Sequence, residues 1–183
     1  MINITYLQMI IYITVLWVAV RTIVSVKNKR VDFKREALLI LVYICIVVVI
    51  RFTFCPFGKV NGQILPLVFD ANKIFPIWYN LKPFIYLFDY PTIKEALINL
   101  IGNTAMFIPL GIVWPVCFKK IDTHLKVIAA GFCFSLLIEI IQIPFYTRNS
   151  DIDDLILNTF GFTVGYLIYL LFKKITNKKA SSK

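Results

Sequence analysis

Glu139 is the acid in the least polar surroundings of this chain, set in the run Phe134-Ser-Leu-Leu-Ile-Glu139-Ile-Ile-Gln142. Gln142 follows it by three residues, on the same face of a helix, and Ser135 precedes it by one turn. Other polar residues recur at the same helical spacing: Glu95, Asn99 and Asn103, and then Asp151, Asp154, Asn158, Gly161 and Gly165. Arg148 lies just before the second series, and Arg51 closes an earlier apolar run. Two carboxyls in different environments can divide acid and base work between them. Carboxylates and amides can also hold the hydroxyls and amines of a ligand, and an arginine can grip a phosphate or carboxylate through two bonds. Three acids and an asparagine could hold a hard cation through oxygen, but no D-x-D-x-D-G loop is present, and we expect neither a metal nor a cofactor. Cys45, Cys55, Cys117 and Cys133 have no C-x-x-C spacing, so no thiol-ligated metal or disulfide framework is expected. Walker A, G-x-G-x-x-G, H-E-x-x-H and G-x-S-x-G patterns are absent.

The elements that must position these groups are membrane spans. Of the 183 residues 59% are hydrophobic and 16% charged, with a mean hydropathy of +0.78. Soluble domains carry about 45–50% apolar and roughly 25% charged residues. The excess is concentrated in five runs, about Leu7–Val26, Ala37–Phe54, Ala96–Phe118, Val127–Phe145 and Leu155–Phe172. Each approaches the ~20 residues that cross a bilayer. The runs are continuously apolar rather than alternating, so they read as helices. The expected fold is all-α: one polytopic integral membrane helical bundle of about five transmembrane helices over residues 1–183. A soluble enzyme, a disordered chain and a collagen-like fibre are excluded.

Thirteen of the 20 basic residues fall in the first and third connections and after the fifth span, which share one side. The positive-inside bias makes that side cytoplasmic. The N-terminus is then outside, the C-terminus inside, and residues 173–183 form a basic cytoplasmic tail. The net charge of +10 is explained by topology and needs no nucleic acid as partner. The opening segment lacks a basic n-region and a small-residue cleavage site and reads as a retained span. His124 falls in a cytoplasmic loop and is expected to be solvated, which leaves no Ser–His pair on the outer side.

Between spans two and three the chain is broken by Pro56, Pro66, Pro76, Pro83 and Pro91 and is rich in Trp78, Tyr79, Phe84, Tyr86, Phe88 and Tyr90. So apolar a segment belongs at the headgroup level or folded over the bundle. Glu139 is about seven residues from the expected outer end of its helix, roughly 10 Å deep. Polar groups on spans two to five therefore share one depth. They imply an outward-facing polar pocket with the proline-broken segment as its lid. Pro109 and Pro115 are expected to kink span three.

The stretch Asn80-Leu-Lys-Pro-Phe84, the N-x-x-x-F-x-P-x-G pattern of Asn103, Phe107, Pro109 and Gly111, the Glu139-Ile-Ile-Gln142 pair, Arg148, and the D-x-x-D-x-x-x-N-x-x-G pattern of Asp151, Asp154, Asn158 and Gly161 occur in order. In this the region from about residue 80 to 172 resembles the VanZ family, named for an accessory protein of glycopeptide-resistance gene clusters. The resemblance implies a bacterial cell-envelope membrane protein, and a link to reduced susceptibility to teicoplanin, a lipoglycopeptide.

Three readings of function stay open. The first is a non-enzymatic protein that binds an amphiphile from the outer leaflet, a lipid-linked cell-wall intermediate or a lipoglycopeptide. In it Arg51 and Arg148 hold an anionic group, and Asn99, Asn103, Gln142 and Asn158 supply uncharged hydrogen bonds beside Glu139, Asp151 and Asp154. The second is an integral-membrane enzyme with Glu139 as acid or base and Asp151 or Asp154 as its charged counterpart. The third is a small transporter or channel subunit, disfavoured by the lack, apart from Arg21, of acidic and basic groups in the cytoplasmic halves of the spans and by the lack of an internal repeat. Membrane lipids are partners in all three, and the oligomeric state is open. The topology has a direct check. On whole cells an impermeant thiol reagent should modify a cysteine introduced at Asn149 and spare one introduced at Asn177; the reverse pattern ends the assignment.

Overall fold

Each helix starts where a side chain can serve the orphan amides of its first turn. The structure, a computed structural model, describes residues 1–29, 31–55, 59–60, 63–75, 79–83 and 92–181. Thr5 and Gln8 form a reciprocal capping box ahead of α1 (Tyr6–Asn28). Asp32 accepts from the amides of Lys34 and Arg35 at 3.0 and 3.2 Å to open α2 (Phe33–Phe54). Thr92 caps α3 (Ile93–Cys117). α4 (His124–Gln142) and α5 (Ile152–Ser181) complete the set. All five are long and apolar enough to cross a membrane, and the protein is all-α apart from a few two- and three-residue strands. The basic stretch after Phe172 continues α5 as exposed helix. Trp78, Phe84, Tyr86, Phe88 and Tyr90, with Pro56, Pro76, Pro91, Arg30 and Lys183, lie outside the described residues.

The chain divides into two compact units, Met1–Tyr79 with Ile140–Ser150, and Asn80–Glu139 with Asp151–Lys183. In the first, α1 and α2 are joined by two polar contacts, one at the first turn of α2 and one within the apolar lengths of both helices. Arg21 pairs with Glu36 through two hydrogen bonds, and the Thr14 and Tyr43 hydroxyls are 2.7 Å apart. An arginine in a span is tolerated when it is paired in this way.

The same unit contains strands that the sequence reading did not anticipate. β1 (Ile2–Ile4) pairs antiparallel with β4 (Leu67–Phe69), Asn3 opposite Val68, and β2 (Lys59–Val60) pairs with β3 (Gln63–Ile64). β4 also meets the segment after α4: the Tyr146 amide donates to the Val68 carbonyl and the Asp70 amide to the Pro144 carbonyl, both at 2.9 Å. Part of the expected interfacial segment is thus held in extended form by backbone bonds, with Leu67 buried. Two further short strands, β5 (Tyr79–Asn80) and β6 (Ser150–Asp151), precede α3 and α5.

In the second unit α3 and α5 run parallel with their backbones in contact. A Cβ built on Gly161 would fall on the Thr104 carbonyl, one on Gly165 on the Ile108 carbonyl, and one on Gly111 on the Phe162 carbonyl. Phe107, Leu110 and Phe162 are fully buried around this seam, and the Phe162 ring lies against Gly131 of α4. α3 passes through Pro109 and Pro115 as one continuous helix.

α4 ends earlier than expected, at Gln142 rather than Phe145. Pro144 has no amide to donate to Ile140 and its ring crowds that carbonyl. Ile143 and Phe145 instead close tight turns onto Ile140 and Gln142. Glu139 is therefore three residues from the end of its helix, about 4.5 Å along the axis, not the seven residues and roughly 10 Å anticipated.

The glycine seam makes a specific prediction. Gly161→Ala must push α5 off α3 and should lower the thermal stability of the detergent-solubilised protein by about 1–3 kcal/mol, the usual cost of overpacking. Gly102→Ala, with nothing within 4 Å of the new methyl, should leave it unchanged or raise it by up to about 1 kcal/mol. Equal behaviour of the two variants would contradict the close contact.

Candidate functional site

The second unit collects acids and amides at the start of α5. Asp151 precedes the first helical residue, and its Oδ1 accepts from the Asp153 amide at 2.9 Å, so it caps the helix. The same oxygen accepts from Asn80 Nδ2 at 3.1 Å. The Asp151 amide in turn donates to Glu139 Oε2 at 3.0 Å, which fixes the entry of α5 to α4. One turn on, Asp154 accepts from Asn103 Nδ2, joining α5 to α3. One turn further, Asn158 Nδ2 donates to Ser135 Oγ at 3.0 Å, joining α5 to α4 again. Glu139 is 4% exposed and Asn158 1%. Among the described residues the Asn158 Oδ1 is a buried acceptor with no hydrogen-bond donor. Asn99 is half-buried one turn before Asn103 on α3. Asp153, between Asp151 and Asp154 in sequence, is buried as well.

The remaining expected site residues belong to the first unit. Gln142, 3% exposed, donates from Nε2 to the Thr53 carbonyl at 2.8 Å. Arg148 donates from Nε to the Phe54 carbonyl at 3.2 Å. Both therefore satisfy carbonyls at the end of α2, which have no partner within their own helix. Arg51 donates to the Cys55 carbonyl at 3.3 Å and lies 5.3 Å from the centre of the Tyr6 ring, a cation–π arrangement. Lys73, which the sequence reading missed, donates to the carbonyls of Phe145, at 2.7 Å, and Arg148. Burial pulls its ammonium below the usual lysine range, and these carbonyls hold the charged form in place.

The VanZ/LLP1 profile matches residues 39–173, nearly the whole helical part from α2 onward. The chain belongs to the VanZ/LLP1 family. Protein VanZ of Enterococcus faecium is 40% identical over 81 residues, which are 44% of this chain and 50% of that protein. The match thus spans half the length of that relative. No solved structure matches the chain. The profile reaches back to residue 39, well before Asn80, where the sequence resemblance began.

Placed on this VanZ/LLP1 chain, the polar residues of the motifs link elements. Asn80 and Asp151, Asn103 and Asp154, Glu139 and Asp151 are hydrogen-bonded pairs. The glycines of the same motifs, Gly111 and Gly161, are two of the backbone contacts between α3 and α5. Asn80 was named in the resemblance yet not proposed for the site; its place beside Asp151 could have been sought from the matching patterns, whereas Lys73 carried no signal in its local sequence. His124, expected in a loop, opens α4; it is exposed, and its Nδ1 lies 2.8 Å from the Tyr166 hydroxyl. Among the described residues no group of three or more His, Cys, Asp or Glu side chains could hold a metal ion.

Glu139 is thus an anchor for the α5 entry, whatever else it does. Glu139→Leu should orphan the Asp151 amide and cost about 1–3 kcal/mol, read as a lower unfolding temperature in detergent. Glu139→Gln keeps an acceptor oxygen and should lose clearly less. Equal losses would show that the hydrogen bond from Asp151 does not stabilise the fold.

Proposed function

We propose that this VanZ/LLP1 protein binds the polar head of an amphiphile in the outer leaflet of the cell membrane, through the acid–amide cluster at the start of α5. The single observation that carries this reading is the concentration of Asn80, Asn103, Glu139, Asp151, Asp154 and Asn158 in one unit built of membrane-crossing helices. Polar groups in such helices are costly and usually mark a site. Fixed carboxylate and amide oxygens favour a ligand rich in hydroxyl, amide or amine donors. The buried Oδ1 of Asn158 offers one more acceptor. A lipid-linked cell-wall intermediate has this chemistry, and so does a lipoglycopeptide such as teicoplanin.

The test uses purified protein and a lipid-linked peptidoglycan precursor. Asp154→Asn keeps shape and an acceptor for Asn103 but removes the charge. Binding should weaken roughly tenfold, since hydrogen bonds to charged groups contribute about 1.5–3 kcal/mol and the neutral bonds that would replace them about 0.5–1.5 kcal/mol, while the unfolding temperature changes little. Binding that is absent in the parent protein, or untouched by the substitution, overturns the reading. Turnover of the precursor would replace it with the enzymatic one, in which Glu139 is the acid or base. In cells the expected readout is lower teicoplanin tolerance in the Asp154→Asn strain than in the parent.

A further inference from the structure

The far end of the second unit, away from the acid–amide cluster, carries a separate cavity. It has a volume of about 480 Å³ and lies between the last turn of α3, the α3–α4 connection and the distal half of α5. Its polar lining includes Lys119 and Lys173 with the Tyr166 and Tyr169 rings, and its apolar lining includes Ile121 and Leu170. The rings of Tyr166 and Tyr169 are stacked with centroids 6.3 Å apart. Tyr166 is buried and held through its hydroxyl by His124 Nδ1 at 2.8 Å, so this wall is preformed. Asp122 also lines the cavity, but its carboxylate is paired with Lys126 at 2.7 Å. The Lys126 hydrogen bond holds the Asp122 carboxyl below its usual range, so that pair is neutral overall. The two lysines carry no ion pair among the described residues and leave the cavity with an excess of two positive charges.

The position of the cavity decides the kind of ligand. α3 ends at Cys117 and α4 begins at His124, so the cavity lies where membrane-crossing helices give way to connection. Tyrosines at that level mark the headgroup region. A basic pocket between such helices suits an anionic headgroup, with the acyl chains running down the apolar flank. We infer that this cavity binds the phosphate-bearing headgroup of an anionic membrane lipid, with Lys119 and Lys173 as the cationic contacts and the two tyrosines as its floor. This site is distinct from the acid–amide cluster and stands whether or not that cluster binds an amphiphile.

Native mass spectrometry of the full chain in detergent, titrated with phosphatidylglycerol or phosphatidylcholine, tests the inference. Phosphatidylglycerol should be retained in preference to phosphatidylcholine. The Lys119→Gln, Lys173→Gln protein should bind it roughly 30-fold more weakly, from about fivefold per lysine at an anionic lipid surface. The Lys178→Gln, Lys179→Gln protein loses the same charge further along α5 and should bind much as the parent does. Lys119→Arg, Lys173→Arg should retain binding, which separates lost charge from lost fold. Inorganic phosphate should not displace the lipid. Equal loss in both Gln pairs, no preference between the lipids, loss in the Arg pair, or displacement by inorganic phosphate would each overturn the assignment to a lipid headgroup.

Discussion

The backbone contact between α3 and α5 is the constraint on which the second unit depends. Gly161, Gly165 and Gly111 each lie where a Cβ would enter the carbonyl of the opposite helix. Small residues permit this approach, and in lipid it is close packing rather than a hydrophobic drive that holds helices together. Asn103 immediately precedes Thr104, the residue that Gly161 faces. Its short side chain can therefore reach Asp154 on α5. A wider separation would leave both groups in a medium that offers no water in compensation.

Asp151 carries that constraint into the connection before α5. It caps the helix, accepts from Asn80, and through its amide binds Glu139 of α4. Three elements are tied by one residue, and the polar groups satisfy one another as an apolar environment requires. The first unit solves the same problem with other residues. Arg21 and Glu36 neutralise each other between α1 and α2, and Gln142, Arg148 and Arg51 serve carbonyls at the end of α2. A polar residue in a span can thus be an anchor, which is why position alone does not mark it as a ligand contact.

How much of this was legible in the sequence depended on range. The five helices followed from runs of apolar residues, a signal written locally and continuously. The i, i+4 spacing of Asp154 and Asn158 placed them on one face of α5, where they do meet Asn103 and Ser135. The end of α4 was misjudged because apolar Ile143 and Phe145 extend the hydropathy run past Pro144, whereas the missing amide of proline stops the helix. The pairing of Ile2–Ile4 with Leu67–Phe69 joins segments more than 60 residues apart. Nothing local in either strand announces the other, and two three-residue strands are too short to show alternation. Lys73 was missed for the same reason: its partners, the carbonyls of Phe145 and Arg148, have no side-chain identity to read.

The dependence of the polar contact on the glycine seam can be measured as a coupling energy. A double-mutant cycle of Asn103→Ala and Asp154→Ala, run by thermal unfolding in the parent and again in Gly161→Ala, isolates their pairwise interaction from everything else each residue touches. A coupling of about 0.6–1.7 kcal/mol, from the average to the maximum for hydrogen bonds between membrane helices, should be present in the parent and fall toward zero in Gly161→Ala. The same coupling in both backgrounds would contradict the claim that backbone contact between α3 and α5 is what brings Asn103 to Asp154.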